Sequence, residues 1–169
     1  MTIERVTTPA KAFIMDSLMR SVVTEGTARS LESLGITYPV AGKTGTTNDY
    51  RDAWFVGFTP DILALVWVGF DNGDPIRLAG ASAALPIWAE LMNAIPEYMS
   101  ESWFRTPQGV VNRTICSESG QLAIPGVCPS PVEEVFMEGN VPTGYCTIHQ
   151  QMGMVEKIMK GIKDAIRHF

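Results

Sequence analysis

The segment Val40-Ala41-Gly42-Lys43-Thr44-Gly45-Thr46-Thr47 separates a helical part of the sequence from a part rich in strands. It is rich in Gly and Thr, and a polar turn follows it at residues 48–52. Two apolar runs come next, at 53–58 and 62–70, joined by the turn Thr59-Pro60-Asp61. Short β-prone runs connected by tight turns are typical of antiparallel strands. The sequence therefore predicts an antiparallel meander of three strands.

Helices are predicted on both sides of this meander in the sequence. Thr8 is a good N-cap and Pro9 suits a first helical position, so a helix is predicted over residues 9–23. A second helix is predicted over residues 82–95, with an apolar face formed by Leu85, Trp88, Ala89 and Met92. The runs 53–58 and 62–70 are apolar on both faces, which favours a sheet covered on each side. The predicted fold class is α+β, an antiparallel β-meander covered by helices.

Composition excludes several classes of protein. Of the 169 residues 46% are hydrophobic, which is enough for a packed core and excludes general disorder. A net charge of -5 argues against a nucleic-acid partner, because phosphate contacts need clustered Lys and Arg. The longest apolar run, 62–70, is about half of what a membrane helix needs, and residues 1–11 lack the apolar core of a signal peptide. We therefore expect an acidic globular chain with no membrane segment.

The chain is predicted to have three parts. Residues 1–98 carry the helices and the meander. Residues 99–150 are rich in Pro, Gly, Ser and Cys, which predicts a loop-rich C-terminal extension with short strands near 110–115 and 135–137. Residues 151–169 place apolar side chains at helical spacing, which predicts an amphipathic helical tail.

The Gly42-Lys43-Thr44 tripeptide also ends the phosphate-binding loop of nucleotide-binding proteins. That motif needs a further Gly at position 37, where this sequence has Thr37, and it needs a strand before the loop and a helix after it. Here a helical segment precedes the tripeptide and β-prone runs follow it, so a nucleotide site is disfavoured.

The same segment resembles class A (bifunctional) penicillin-binding proteins. Lys43-Thr44-Gly45 matches one of the three motifs of serine penicillin-recognising enzymes, and the surrounding sequence strengthens the match. The resemblance is strong over residues 5–95 and looser from 110 to 150. The matching stretches are GKTGTTND (42–49), RDAWFVGFTP (51–60), VWVGFD (66–71), GTA (26–28) and ALPIW (84–88).

This resemblance implies the penicillin-binding-protein/serine β-lactamase-like transpeptidase fold and a peptidoglycan D,D-transpeptidase activity. In that reaction a serine attacks a D-Ala-D-Ala peptide bond, and the acyl group then passes to an amine. The catalytic residues implied are Lys43, near the protonation network of the serine, and Thr46, whose backbone N–H stabilises the oxyanion. Substrate-binding residues implied are Thr44, Gly45, Thr46 and Thr47, on which the carboxylate and backbone of the peptide or a β-lactam would lie.

Two motifs of the family are missing from this sequence. No serine is followed by Lys three residues later, and none is followed by Asn two residues later. Thr8-Pro9-Ala10-Lys11 has the first spacing with a threonine, but Thr8 is better explained as a helix cap. The chain is therefore expected to hold the substrate-binding strand of the transpeptidase and to be inactive alone. The attacking serine would lie upstream.

The resemblance further implies where the parent protein acts and what it contacts. We expect the extracytoplasmic side of the cell envelope, peptidoglycan stem peptides and β-lactams as ligands, the rest of the transpeptidase domain as a partner, and no cofactor. A rival hypothesis is a non-catalytic β-lactam- or peptidoglycan-binding module that kept the strand and lacks the nucleophile.

Three cysteines and one histidine of the extension form a second candidate cluster: Cys116, Cys128, Cys146 and His149. Only Cys146-x-x-His149 has a tight metal-ligand spacing, whereas zinc ribbons usually contain two such pairs. Because the family acts outside the cytoplasmic membrane, one disulfide with a spare thiol is preferred, with the pairing open. Free thiols come next, and a zinc site is the least favoured alternative.

Overall fold

The computed structural model describes residues 4–150, and the chain divides into two compact units between Pro107 and Gln108. The main elements of the first unit are two α-helices, the longest of its 3-10 helices and three strands. They are α1 (Pro9–Thr24), the 3-10 helix Arg29–Leu34, β1 (Ala41–Thr46), β2 (Asp52–Phe58), β3 (Leu63–Gly69) and α2 (Gly80–Ala94). The second unit contains β4 (Val110–Cys116) and β5 (Pro131–Met137). The predicted tail at 151–169 lies outside the described residues.

The three strands of the first unit form the predicted antiparallel meander, in the order β1-β2-β3. Lys43 pairs with Val56 across the first two strands, and Trp54 pairs with Trp67 across the second two. Among the described residues β1 and β3 are the edges of this sheet. The α+β fold class predicted from the sequence is confirmed.

Helix α1 begins where its sequence predicts. The hydroxyl of Thr8 accepts the backbone N–H of Lys11 at 3.3 Å, and Pro9 occupies the first helical position. This cap satisfies one of the N–H groups that a helix start leaves unpaired. Thr8 is thus a helix cap, in agreement with the sequence, and α1 then packs along β1 with Phe13 buried.

Helix α2 covers one face of the sheet through Trp88. The Trp88 indole is fully buried, meets the Phe55 ring edge-on at 5.4 Å between centroids, and donates its N–H to the Ala64 carbonyl at 3.1 Å. Gly57 leaves the space for it, because a Cβ at this position would lie 2.7 Å from the Trp88 ring. Leu85 and Met92 complete the buried face of α2 that the sequence predicts.

Strand β3 departs from one expectation. The sequence predicts that its run is covered on both faces, and this is wrong for the described residues. Ala64, Val66 and Val68 pack against the core, whereas Leu63, Leu65 and Trp67 are 65%, 53% and 42% exposed. Side chains alternate between the two faces of a strand. The apolar pattern indicates two faces suited to burial, but α2 covers only one of them.

Residues 99–107, which the sequence groups with the extension, belong to the first unit. Trp103 stacks on Phe58 of β2 at 6.4 Å between ring centroids, and Phe104 meets Trp103 edge-on at 5.1 Å. The Arg20 guanidinium of α1 lies 5.3 Å from the centre of the Trp103 ring. These aromatic and cation–π contacts hold the segment against α1 and β2.

The second unit is built on the antiparallel pair β4-β5, with Cys116 opposite Pro131 and Val110 opposite Met137. Its buried cluster contains three cysteines: Cys116, Cys128 and Cys146, together with Ala123. The loop-rich extension is confirmed, with strands where short strands are predicted. Within residues 4–150, no helix has the length and the apolar character needed to cross a membrane.

The exposed face of β3 makes self-association of the chain testable. Leu65→Lys places a charge on this apolar edge strand, so we expect weaker self-association in sedimentation velocity. Because Leu65 is half exposed, the free energy of unfolding should change by less than about 0.5 kcal/mol. The neighbouring Val66→Lys is the control: it puts a charge into the core and should unfold the unit. Unchanged association of Leu65→Lys would contradict the prediction.

Candidate functional site

Strand β1 places the Lys43-Thr44-Gly45-Thr46 sequence on an edge of the sheet. The Lys43 side chain is exposed, and its ammonium group donates to the carbonyl of Thr44 at 2.7 Å. The next long element after β1 is β2, with only a short 3-10 turn between them. A phosphate-binding loop would lead from a strand into an α-helix, so the strand that follows argues against that alternative.

Thr44 is held by a residue that the sequence did not single out as part of the site. Its hydroxyl lies 2.8 Å from the hydroxyl of Thr27, in the loop that follows α1. Two hydroxyl groups at this distance share one hydrogen bond, which leaves the second proton of the pair for another acceptor. Gly26-Thr27-Ala28 belongs to the stretches that resemble the family, and that match was the only available signal for Thr27.

Thr46 connects β1 to the start of α2. Its hydroxyl oxygen accepts the backbone N–H of Gly80 at 3.1 Å. Since the oxygen is the acceptor in this bond, the hydroxyl proton can be donated to a bound anion. Gly80 crosses close above the strand: a Cβ there would lie 2.6 Å from the carbonyl oxygen of Gly45 and closer still to that of Trp54. The first turn of α2 therefore sets the position of the site strand.

Thr47 belongs to the turn between β1 and β2. Its hydroxyl donates to the Asp52 carboxylate at 3.0 Å and accepts the Asp52 N–H at 2.8 Å. The other oxygen of the same carboxylate accepts the indole N–H of Trp67 at 2.9 Å. The hydroxyl of Thr47 is thus used in fixing the turn, whereas Lys43, Thr44 and Thr46 present their polar groups along β1.

The arrangement along β1 suits an anionic ligand of extended shape. One ammonium group and two threonine hydroxyls lie within four consecutive residues, and an edge strand has backbone groups available for pairing. Gly45 adds no side chain to this surface, and a Cβ at Gly45 would lie 3.2 Å from the Cβ of Trp54. A carboxylate on an extended peptide matches these donors in charge and geometry.

The second candidate cluster lies in the second unit, where the structure brings together all four residues singled out in the sequence. One potential ligand atom from each of Cys116, Cys128, Cys146 and His149 lies within 4.8 Å of all the others, and all four residues are buried. The three cysteines are free thiols, so the disulfide preferred from the sequence is not formed in the structure. The physical reason is that the three sulfur atoms and the ring nitrogen form one cluster, and no two of the sulfurs are joined by a covalent bond.

The thiols of this cluster differ in acidity. Burial of Cys146 opposes its ionisation. Hydrogen bonds from the Ser119 hydroxyl, the backbone N–H of His149 and the neighbouring thiols outweigh burial and lower the pKa of Cys146 to about 7. Burial is also the main influence on Cys128, and it raises the pKa of that thiol. Cys146 therefore becomes a thiolate more readily than Cys128.

A cavity of about 340 Å³ lies between α1, the 3-10 helix and the chain that leads into β1. The cavity is lined by residues between α1 and the start of β1, among them Arg20, Glu32, Tyr38 and Val40. None of residues 43–47 lines the cavity. The candidate site on β1 is thus an open edge of the sheet, separate from this cavity.

Comparison with known proteins gives a match for each unit. Residues 3–93 match the family of the penicillin-binding protein transpeptidase domain. The chain belongs to this transpeptidase family. Residues 106–151 match the C-terminal domain of penicillin-binding protein 1A, so the resemblance recognised in the sequence is confirmed over both units.

Matches to individual penicillin-binding proteins show what share of each relative's length this chain covers. It is 38% identical to penicillin-binding protein 1A of Neisseria gonorrhoeae over 134 residues, which are 73% of this chain and 17% of that protein. It is 37% identical to the Pseudomonas aeruginosa protein of the same name over 141 residues, which are 82% of this chain and 17% of the relative. The chain thus spans about a sixth of the length of these curated relatives.

A solved structure agrees with these sequence matches. The crystal structure of penicillin-binding protein 1A from Haemophilus influenzae superposes with a TM-score of 0.75 at 27% sequence identity. The superposition covers 84% of this chain and 22% of that one. The α+β architecture described above is therefore also found in a part of a known penicillin-binding protein.

The contact of Gly80 with β1 predicts a large effect of a small substitution. Gly80→Ala forces a methyl group against the carbonyl oxygens of Gly45 and Trp54, which should lower the free energy of unfolding by about 1–3 kcal/mol. Alanine improves helix propensity by at most about 1 kcal/mol, so the clash decides the sign. Gly139→Ala is the control, because a Cβ there meets no described atom within 4 Å. Equal melting temperatures of the two variants would contradict this account.

Proposed function

We propose that this chain supplies the substrate-binding strand and one oxyanion donor of a peptidoglycan D,D-transpeptidase. The attacking serine would lie in a part of the protein upstream of these residues. The observation that carries the proposal is the placement of Lys43, Thr44 and Thr46 together along an edge strand of a penicillin-binding-family sheet. On this proposal the parent protein is a serine-type enzyme and this chain alone is inactive.

The proposed reaction is acyl transfer in two steps. The serine oxygen forms a bond to the carbonyl carbon of the D-Ala-D-Ala peptide bond, the C–N bond breaks, and D-alanine leaves as the protonated amine. An amine of a neighbouring stem peptide then attacks the ester and releases the serine. Each step passes through an oxyanion, which the backbone N–H of Thr46 and a second N–H at the serine would stabilise.

The side chains of β1 would bind the carboxylate of the terminal D-alanine. The proton of the Thr46 hydroxyl remains for donation, because its oxygen accepts from Gly80, and the Thr27–Thr44 pair has one proton to spare. A hydrogen bond to a charged group contributes about 1.5–3 kcal/mol, which is more than a neutral one. The ammonium group of Lys43 adds positive potential at the same end of the strand. The acidic group of a β-lactam would occupy the same place.

The open edge of β1 would pair with the backbone of the stem peptide. Addition of an extended peptide to a free sheet edge is a general mode of recognition, in which main-chain hydrogen bonds supply affinity. Gly45 leaves the strand free of a side chain where the peptide lies. In this role Thr47 acts through the turn that it forms with Asp52.

The exposed apolar face of β3 supports a further partner, the remainder of the transpeptidase domain. Leu63, Leu65 and Trp67 present apolar surface on the face of the sheet that α2 leaves uncovered. Apolar surface of this kind is usually covered by another part of the protein or by a partner. The parent protein would act in the cell envelope, outside the cytoplasmic membrane, where peptidoglycan is cross-linked.

Covalent labelling with a fluorescent penicillin tests the proposal. The isolated chain should remain unlabelled, whereas the protein that includes the upstream serine should be acylated. In that longer protein Lys43→Ala should lower the acylation rate constant by about 10²-fold, since it removes the positive charge near the protonation network of the serine and the carboxylate of the ligand. Lys11→Ala, which changes an exposed lysine of α1, is the matched control and should acylate at the normal rate.

The rival hypothesis, a non-catalytic binding module, gives different results. It predicts reversible, saturable binding of a D-Ala-D-Ala peptide by the isolated chain and no Ser-x-x-Lys or Ser-x-Asn in frame upstream in the source DNA. Covalent labelling of the isolated chain, or normal acylation of Lys43→Ala in the longer protein, would refute the transpeptidase proposal.

A further inference from the structure

We propose that the second unit binds one Zn²⁺ ion through Cys116, Cys128, Cys146 and His149. The sulfur atoms and one ring nitrogen lie within 4.8 Å of one another, and all four residues are buried. The residues come from the end of β4, a loop, and the segment after β5, so the site would join three parts of this unit. This proposal does not depend on transpeptidase activity.

The distances fit a tetrahedral ion. Bonds of about 2.3 Å from zinc to sulfur and about 2.0 Å from zinc to nitrogen place neighbouring sulfur and nitrogen ligands about 3.5 Å apart, and two sulfurs about 3.8 Å apart. The Nδ1 atom of His149 lies 3.4 Å from the Sγ atom of Cys116 and 3.2 Å from that of Cys146. Two edges of a three-sulfur, one-nitrogen tetrahedron are therefore present, and the other separations stay within 4.8 Å.

The surroundings of His149 favour a metal ligand over an ordinary core residue. Its Nε2 atom lies 3.5 Å from a carboxylate oxygen of Glu118, on the opposite side of the ring from the thiols. A carboxylate in this place favours the tautomer with its proton on Nε2, in which the lone pair of Nδ1 lies on the side of the cysteines. Histidine ligands of zinc almost always have such an acceptor near the second ring nitrogen.

Two cysteines also have the backbone contacts that thiolates use. The N–H of Ile124 donates to the sulfur of Cys128 at 3.3 Å, and the N–H of His149 donates to the sulfur of Cys146 at 3.5 Å. Buried negative charge needs such donors, and three thiolates on one Zn²⁺ ion leave a net charge of only minus one. A disulfide would use two sulfurs and leave a buried thiol and a buried imidazole without a role.

The size of the unit supplies a physical reason for a metal. Its buried cluster consists of Cys116, Cys128, Cys146 and Ala123, with Ile124 packed against them. Folded units below about 70 residues rarely bury enough apolar surface to be stable without disulfides, a metal or another support of this kind. Binding of zinc would supply that folding free energy directly.

The ligand set indicates zinc in a structural role. Thiolates and imidazole are ligands that zinc prefers, whereas calcium and magnesium prefer oxygen. All four positions of a tetrahedron are taken by protein atoms, so none remains open for water or substrate.

Metal analysis of the full chain tests the proposal. Purified without chelator from zinc-supplemented cells, the chain should carry about one zinc per molecule by mass spectrometry of the metal. Exchange with Co²⁺ should give the ligand-field bands of a tetrahedral ion and thiolate-to-cobalt charge transfer. If the purified chain contains no metal and has a single titratable thiol, the other two cysteines form a disulfide. If it contains no metal, has three titratable thiols and takes up neither Zn²⁺ nor Co²⁺, the cysteines are only buried packing residues. Either result overturns the proposal.

Variants of the histidine separate ligation from folding. His149→Ala should lose the tetrahedral cobalt spectrum, whereas His149→Cys should keep it with stronger charge transfer, because four cysteines also bind zinc. His168→Ala changes the other histidine of the sequence and should bind zinc normally. An unchanged spectrum in His149→Ala would show that His149 is not a ligand and would refute the site.

Glu118 provides a second, finer test as a positioning residue. Glu118→Gln should weaken zinc affinity about 10–100-fold in competition with a chromophoric chelator, because the carboxylate orients His149. Glu138→Gln changes an exposed glutamate of the same unit and should leave the affinity unchanged. Equal affinities of the two variants would refute the orienting role of Glu118.

Discussion

The packing of Trp88 on the sheet is the contact on which the position of the candidate site depends. The indole lies against Phe55, donates to the carbonyl of Ala64, and fills the space that Gly57 leaves open. It thereby holds α2 across β2 and β3. The first residue of α2, Gly80, then reaches back to β1 and donates to Thr46. A buried aromatic contact on one face of the sheet thus positions a polar strand at its edge.

The two units are stabilised in different ways. The first has a large apolar core of aromatic and aliphatic side chains, so its site residues can remain exposed on an edge strand. The second has a cluster made mostly of cysteines. Burial of apolar surface explains the first unit, whereas the described residues of the second bury few apolar side chains, which is why we propose a metal there.

Much of the first unit could be predicted from its sequence. The N-cap at Thr8, the apolar face around Trp88 and the tight turns between runs are local signals, and each corresponds to an observed element. The exposed face of β3 could not be predicted, since an apolar pattern indicates a face suited to burial but not what covers it. The pairing of Thr27 with Thr44 also had no local signal, because it joins residues far apart in the chain.

The sequence by itself determined the order of helices and strands, the edge motif around Lys43 and the family of the chain, because capping, alternation and motif spacing act over a few residues. The tertiary structure alone decided which polar groups meet. Cys146 and His149 are close in sequence, but Cys116 and Cys128 join them only through the path of β4 and the loop after it. Such a cluster depends on the path of the folded chain, and spacing along the sequence does not describe that path.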